Sequence, residues 1–461
     1  MPPTTAAGLP PGPRLPALAQ TLGFLVAPRR FVSGVHRRYG PMATLRTSFD
    51  PGFVMVFDPE LVRALFRGPP ERLRAGEANS LLGPLLGEHS VLLLDGAEHL
   101  RQRRLLLPPF HGERMRSYEA AIRAASDRAI DGWPAGEPFP LMASTQSLTL
   151  EVIMRAIFGM DEGTRERELR ETIRSALEPV ATRLGVLVLA LSGGRFGQRG
   201  AMRRFAERRA HLDRLIHDEI GRRREAGDLE RREDVMSMLL LARDEDGRGM
   251  SDAELRDELV TMLVAGHETT AIGLAWMFDL VLRTPHVLAR TREALASGDD
   301  DWLDAVVRET LRIRPVIPGV GRVVRGGPFE LGGRSIPDGM EINPSIAAIH
   351  MRADIYPNPE EFRPERFLGD DAPDTYSWLP FGGGTRRCLG ASFALFEMRA
   401  VLRRVLERCE LEPAGRRPAR AERRGITVAP SGGVRVRLRS RRPATPAPSP
   451  GAALTPSADR S

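Results

Sequence analysis

The sequence has 461 residues, 42% of them apolar, and a formal charge of +7, which is ample material for one large core. Its two cysteines, Cys388 and Cys409, exclude a four-cysteine zinc site, a cysteine-ligated iron–sulfur cluster and a disulfide framework, and this fits a reducing cytoplasm. All 67 basic residues are arginine, and eleven crowd residues 413–461 against only Glu422 and Asp459; without interleaved aromatics that stretch does not read as a nucleic-acid surface.

Along the chain, residues 1–20, with "GLPPGPRLPAL", are expected to form an extended proline-rich lead-in. No stretch reads as a signal peptide or an N-terminal anchor. Alternation in "MATLRTSFDPGFVMVFD", Met42 to Asp58, predicts a small hairpin. Between Ala97 and Arg312 the period is mostly helical, with arginine-rich outer faces. The long apolar run Leu259 to Leu282 contains His267, Glu268 and Asp279, which argues against a transmembrane anchor. Short strands are predicted from Gly321 to Ile342, then a loop-rich stretch, a helix after Cys388, and a last pair of strands ending near Arg439. Residues 441–461 are low-complexity and predicted disordered. Residues 1–440 thus read as a single domain, mainly α with a minor β region.

Four segments carry chemistry. In "DGAEHLRQRRLLLPPF", Asp95 to Phe110, His99 and Arg103 stand at i,i+4 on one helix face, a spacing that a solvated basic helix shares. In "LVAGHETTA", Leu263 to Ala271, a helix apolar nearly all round is broken by Gly266, His267, Glu268 and Thr269. Ala265 and Gly266 would leave room above a flat cofactor, while the carboxyl and hydroxyl supply exchangeable protons; the alternative is a tolerated polar cluster. In "ETLR", Glu309 and Arg312 can pair at i,i+3, a spacing that recurs elsewhere in the chain. In "LPFGGGTRRCLGASFALFEMR", Leu379 to Arg399, Cys388 sits at a helix start beside Arg386. Free N–H groups and the helix dipole there favour a thiolate, and the glycines let a large group approach the backbone. With no second cysteine nearby, one axial bond to haem iron is the economical use of that thiolate. Cys409 reads as a small buried hydrophobe.

In this order, the four segments resemble the cytochrome P450 family over roughly residues 90–400. Phe381, Gly384, Arg386, Cys388 and Gly390 match its haem signature F-x-x-G-x-R-x-C-x-G, and "AGHETT" looks like its A-G-x-[DE]-T segment. The resemblance implies a helical triangular prism around haem b (iron protoporphyrin IX), with Cys388 as axial thiolate and Phe381 and Gly390 against the cofactor. It implies that Ala265 lies on the oxygen-binding side, that Thr269 hydrogen-bonds dioxygen, and that Glu268 relays protons. His99, Arg103 and Arg386 would bind haem propionates, with Arg322 a further candidate and Arg325 its rival. Glu309, Arg312 and Arg366 would fix the cysteine loop.

The implied activity is that of a cytoplasmic monooxygenase inserting one oxygen atom of O2 into a lipophilic small molecule. Electrons would come from a separate ferredoxin or flavodoxin with an NAD(P)H-dependent reductase. Peroxide-driven or isomerising relatives, and a non-catalytic haem-binding protein, are the alternatives; the Glu268–Thr269 pair argues for the monooxygenase. The substrate pocket is expected from the segment before His99, from Arg183 to Gly194, and from the helix around Ala265. Val316 to Val320 and Ile426 to Val428 would complete it. Arg101, Arg104 and Arg387 are expected to form a basic patch that steers an acidic electron donor.

Overall fold

The polar break in the long apolar run falls in the middle of one 32-residue helix, Asp252–Arg283. Ser251 starts it with a reciprocal cap: its Oγ accepts the Glu254 N–H (3.2 Å), and the Glu254 carboxylate accepts the Ser251 N–H (2.7 Å). Leu274, Ala275, Trp276 and Met277 are consecutive and all fully buried, so every face of the helix is covered there.

The computed structural model describes residues 8–48, 50–110, 114–159, 163–181, 201–370 and 372–444. Among these, besides short helical turns such as Ala75–Ala78 and Gly83–Leu86, the longer helices before the central one are α1 (Ala17–Val26), α2 (Pro28–Tyr39), α3 (Pro59–Arg67), α4 (Gly96–Leu106), α5 (Arg114–Asp131), α6 (Leu141–Phe158), α7 (Thr164–Ala181), α8 (Ala201–Glu225) and α9 (Val235–Leu241). The central helix is α10; α11 (Pro285–Ser297), α12 (Asp300–Ile313) and α13 (Ala391–Arg408) follow. Asp58 caps α3 ahead of Pro59, and Asp299 caps α12 through the Trp302 N–H.

The predicted hairpin is β1 (Met42–Leu45) against β2 (Phe53–Val56), with Met42 opposite Val56. It joins β3 (Leu73–Arg74), β5 (Arg322–Val324) and β8 (Glu341–Pro344) in a sheet of order β1-β2-β8-β5-β3, parallel only between β2 and β8. Away from it, β6 (Phe329–Leu331) and β7 (Arg334–Ile336) form a hairpin. The C-terminal region holds more than the expected last pair. A hairpin of β10 (Ala421–Arg424) and β11 (Thr427–Pro430) accompanies a second sheet, in which β12 (Arg435–Arg441) lies between β4 (Pro138–Pro140) and β9 (Cys409–Pro413). The fold is thus mainly α with a minor β region, as the sequence led us to expect.

Two expectations change. The lead-in ends early, because α1 begins at Ala17, directly after Pro16. Gly266 does not make room above a cofactor: a side-chain carbon there would stand 3.0 Å from Ile153, so its bareness lets α6 pack on α10. At the other end of that helix a carbon on Gly273 would stand 3.2 Å from Met398, where α10 meets α13. Among the described residues no single helix is long and apolar enough to cross a membrane. The expected disordered stretch falls, from residue 445, outside the described residues.

Candidate functional site

The cysteine loop is fixed at its start by a residue that the sequence did not advertise. His350 Nε2 accepts the Leu379 N–H (2.8 Å), and Nδ1 donates to the Arg312 carbonyl (3.0 Å). Both bonds together need the neutral ring, and burial, helped by Arg312, pushes its pKa down to about 3. Beneath it, the fully buried Arg312 is gripped by Glu309 (2.6 and 2.8 Å) and donates to the carbonyls of His350, Pro359 and Glu361. Arg366 Nε stands 3.4 Å from Glu309, and the Arg363 N–H donates to the same carboxylate (2.9 Å). The three residues expected to fix the loop are therefore assembled below it.

His350 makes stability depend on pH. The unfolded chain takes up its proton near the ordinary 6.5, whereas the folded chain resists it to about 3. This contribution is complete above pH 6.5 and is lost as pH falls toward 3, by about 1.4 kcal/mol per pH unit. His350→Asn should flatten the acid limb of the melting-temperature profile between those values. An acid limb as steep as wild type's would contradict the assignment.

Within the loop, the Cys388 N–H donates to the Phe381 carbonyl (2.9 Å), and Phe381 packs edge-on against Trp378 at 5.9 Å. Gly383 and Gly384 are bare for α3, not for a cofactor: a carbon on Gly384 would stand 2.3 Å from the Phe66 carbonyl. Gly390, where α13 begins, has open space on that side. Cys388 is surrounded deeply by protein yet presents accessible surface, as a residue lining an internal hollow does. Burial pushes its thiol pKa up, against the Gly390 N–H, Arg103 and Arg387. A cation at the sulfur favours the thiolate.

Beside the cysteine the structure gathers His99, Arg103, Arg322 and Arg386. Burial, then the charges of Arg386, Arg103 and Arg322 in that order, drive the His99 pKa down to about 3. His99 is buried and its Nδ1 has no partner among the described residues. Arg103 donates to the Arg387 carbonyl (2.7 Å), which ties α4 to the cysteine loop. Arg322 is buried over the Phe66 ring, and burial pulls its pKa down to about 10. Arg325, its rival, is instead engaged by Glu77 and Asp338. Arg386 donates to Asp95 (2.6 Å) and to the carbonyls of Val91 and Leu94, so three of its five N–H groups are already committed. Three guanidiniums thus surround a neutral histidine, and among the described residues the one carboxylate bound in the group is that of Asp95, on Arg386. Arg322 is buried and Arg103 and Arg386 are half-buried; an excess of two positive charges held partly out of water is costly unless paired, and the two propionates of a haem would match it. Among the described residues no three His, Cys, Asp or Glu side chains gather around a metal position, so a metal at Cys388 needs a prosthetic group for its other ligands.

On α10, Ala265 is exposed between the buried Leu263 and His267, the mark of a hollow beside an otherwise covered helix. Thr269 Oγ1, on the same face, donates to the Ala265 carbonyl (2.6 Å). Around this turn hydroxyls also cap backbone carbonyls: Thr270 that of Gly266, Thr149 that of His267, and Thr145 that of Ala271. The Glu268 carboxylate turns to α6, where Gln146 donates to it (2.7 Å). These α6 residues were invisible to sequence reading, because nothing local marks them as partners of α10.

Two more expectations are settled by geometry. Arg101 is bound by Asp244 and Glu254, and Arg104 by Glu245; with their charge compensated they do not form the basic patch. Among the described residues, Arg387 alone of that set is exposed without a carboxylate partner. Of the expected pocket segments, Val316 and Val428 are joined by a backbone hydrogen bond (2.8 Å), Ile426 is exposed, and Arg183 to Gly194 lie outside the described residues.

Comparison with known proteins places this geometry in context. A family model described as Cytochrome P450 matches residues 10–435. A Mycobacterium tuberculosis protein named cytochrome P450 135B1 is 41% identical over 447 residues, 95% of this chain and 93% of that one. Cytochrome P450 138 of Mycobacterium bovis is 39% identical over 435 residues, 94% of this chain and 97% of its own length. The crystal structure of the cytochrome P450DA heme domain superposes with a TM-score of 0.81 at 24% identity, covering 95% of this chain and 99% of that one.

Proposed function

We propose, on the premise that this chain belongs to the cytochrome P450 family of haem-thiolate monooxygenases, that Cys388 is its axial ligand and that substrate meets dioxygen in the hollow beside Ala265 and Thr269. The chain binds haem b through an axial cysteine thiolate, as its family does. The observation that carries the choice of cysteine is the partly buried cationic cluster around Cys388. Cys409, by contrast, opens β9, is buried in the apolar core, and has its thiol pKa pushed up to about 11 by burial.

When bound, haem supplies the iron at which dioxygen is reduced and split. The overall balance is one C–H bond, O2, two electrons and two protons giving one C–OH bond and water. Cys388 would hold that iron, with its thiolate as the electron donor. Arg103, Arg322 and the two N–H groups that Asp95, Val91 and Leu94 leave free on Arg386 would hold the propionates by charge-assisted hydrogen bonds, with His99 as a neutral donor. Phe381 and Gly390 leave the ring its place beside the sulfur. Thr269 would hold a proton at its Oγ1 on the Ala265 face, and Glu268, held by Gln146, would be the acid that resupplies it from the α6 side.

The apolar character of the segments expected around the pocket, Val316 and Val428 among them, suits a lipophilic substrate. Electrons come from a separate ferredoxin or flavodoxin and its NAD(P)H reductase, with Arg387 the exposed cation nearest Cys388 in sequence. Two unpaired cysteines fit a cytoplasmic setting. The test is to screen apolar compounds for a substrate-induced shift of the haem spectrum, then turn over a hit with a surrogate ferredoxin, reductase and ¹⁸O₂. Product should carry one labelled oxygen atom in step with NADPH consumed. Product formed only when peroxide is supplied would favour the peroxygenase reading instead.

A further inference from the structure

The N-terminal helix is built inside out. On α1, Gln20 and Thr21 are the buried residues. Gln20 Nε2 donates to the Pro13 and Leu15 carbonyls (3.2 and 2.9 Å), and its Oε1 accepts the Arg46 N–H (3.1 Å). Thr21 Oγ1 donates to the Ala17 carbonyl and accepts the Ser48 N–H, both at 2.9 Å. These bonds fix which way the helix is turned about its axis. Turned that way, it shows water Leu18, Leu22, Leu25 and Val26, which are 64%, 51%, 63% and 80% exposed. At 3.6 residues per turn the four fall within about 100° of arc, one continuous apolar stripe. Leu9 and Leu15 precede it and are exposed as well. Six of the nine large exposed apolar side chains among the described residues lie in this one segment.

The charge around the stripe is just as one-sided. Residues 1–49 contain six arginines and neither Asp nor Glu, whereas residues 50–412 are net negative. Arg14, Arg29, Arg30, Arg37, Arg38 and Arg46 are all exposed, and among the described residues only Arg29 meets a carboxylate, that of Glu360 at 3.5 Å. A second copy of the chain would suit the leucines but would bring twelve arginines together with no acid from either segment. An anionic lipid surface suits both features. The ten-residue helix extends about 15 Å, half of the roughly 30 Å a span needs, so it can only lie in the plane.

We propose that α1 is an interfacial anchor, with Leu18, Leu22, Leu25 and Val26 in the acyl boundary of a membrane surface and the flanking arginines among anionic headgroups. This rests on nothing in the site around Cys388. The whole protein should sediment with vesicles of phosphatidylcholine mixed with phosphatidylglycerol, far less with pure phosphatidylcholine, and less at high salt. Leu18→Ser/Leu22→Ser should weaken that partitioning by at least roughly tenfold. Arg14→Gln/Arg30→Gln should weaken it by about fivefold per charge, on the anionic vesicles only. Both pairs are exposed, so melting temperatures should match wild type; should the leucine variant not fold, Leu22→Trp must show a blue shift of emission on anionic vesicles. No sedimentation with either vesicle, or equal sedimentation of the leucine variant, would overturn the proposal. So would a wild-type dimer in size-exclusion chromatography that the leucine variant splits, which would assign the stripe to a second copy.

Discussion

Thr269→Ala is expected to consume NADPH at near wild-type rate while its hydroxylated product falls steeply. The hydroxyl donates to the Ala265 carbonyl (2.6 Å) and to no other protein group among the described residues, so its loss leaves the helix, the cysteine loop and the cationic cluster in place. What disappears is the group that would hand a proton to oxygen, and reduced oxygen should leave as hydrogen peroxide. General-acid help of this kind typically contributes 10²–10⁴-fold; because water in the vacated space can carry part of the relay, that range is an upper bound. Peroxide release should rise in proportion to the lost product, and peroxide supplied directly should bypass part of the defect. Full coupling of NADPH to product in Thr269→Ala would reduce the segment around Glu268 to a buried helix that tolerates polar residues.

The largest effect on stability is expected from Glu309→Ala. Arg312 is fully buried and the Glu309 carboxylate is the counter-charge it touches on two nitrogens. Removing that carboxylate leaves a guanidinium in the core and also strips the Arg363 N–H of its acceptor. Breaking one side of a buried pair costs about 3–5 kcal/mol, a large share of the stability of any domain. In guanidinium unfolding this should appear as a lower midpoint at unchanged slope. Since Arg312 also holds the His350 carbonyl, and His350 the start of the cysteine loop, haem retention should fall with it. A loss below about 1 kcal/mol would mean that the pair is not the clamp its geometry suggests.

What the sequence revealed and what it hid divide along a physical line. The Cys388 frame and the polar break in α10 were legible because each is a contiguous run whose residue types conflict with a bland helix or loop. The early hairpin was legible because alternation maps directly onto a pleated strand. His350, Gln146, Thr145 and Thr149 were not: each acts on a segment far away in sequence, and alone each is an ordinary polar residue. The basic patch failed for the same reason from the other side, since only tertiary structure reveals that Asp244, Glu245 and Glu254 neutralise Arg101 and Arg104. The glycines of the cysteine loop were read as room for a cofactor, yet Gly383 and Gly384 make room for Phe66. Glycine states that something comes close, not what.

Whether Cys388 or Cys409 carries the iron can be read directly in the spectrum of the reduced protein under carbon monoxide. Wild type and Cys409→Ser should both show the red-shifted ferrous–carbonyl band of thiolate ligation. Cys388→His should keep some haem through the arginine cluster but lose that band entirely. A band that survives in Cys388→His and vanishes in Cys409→Ser would contradict the account.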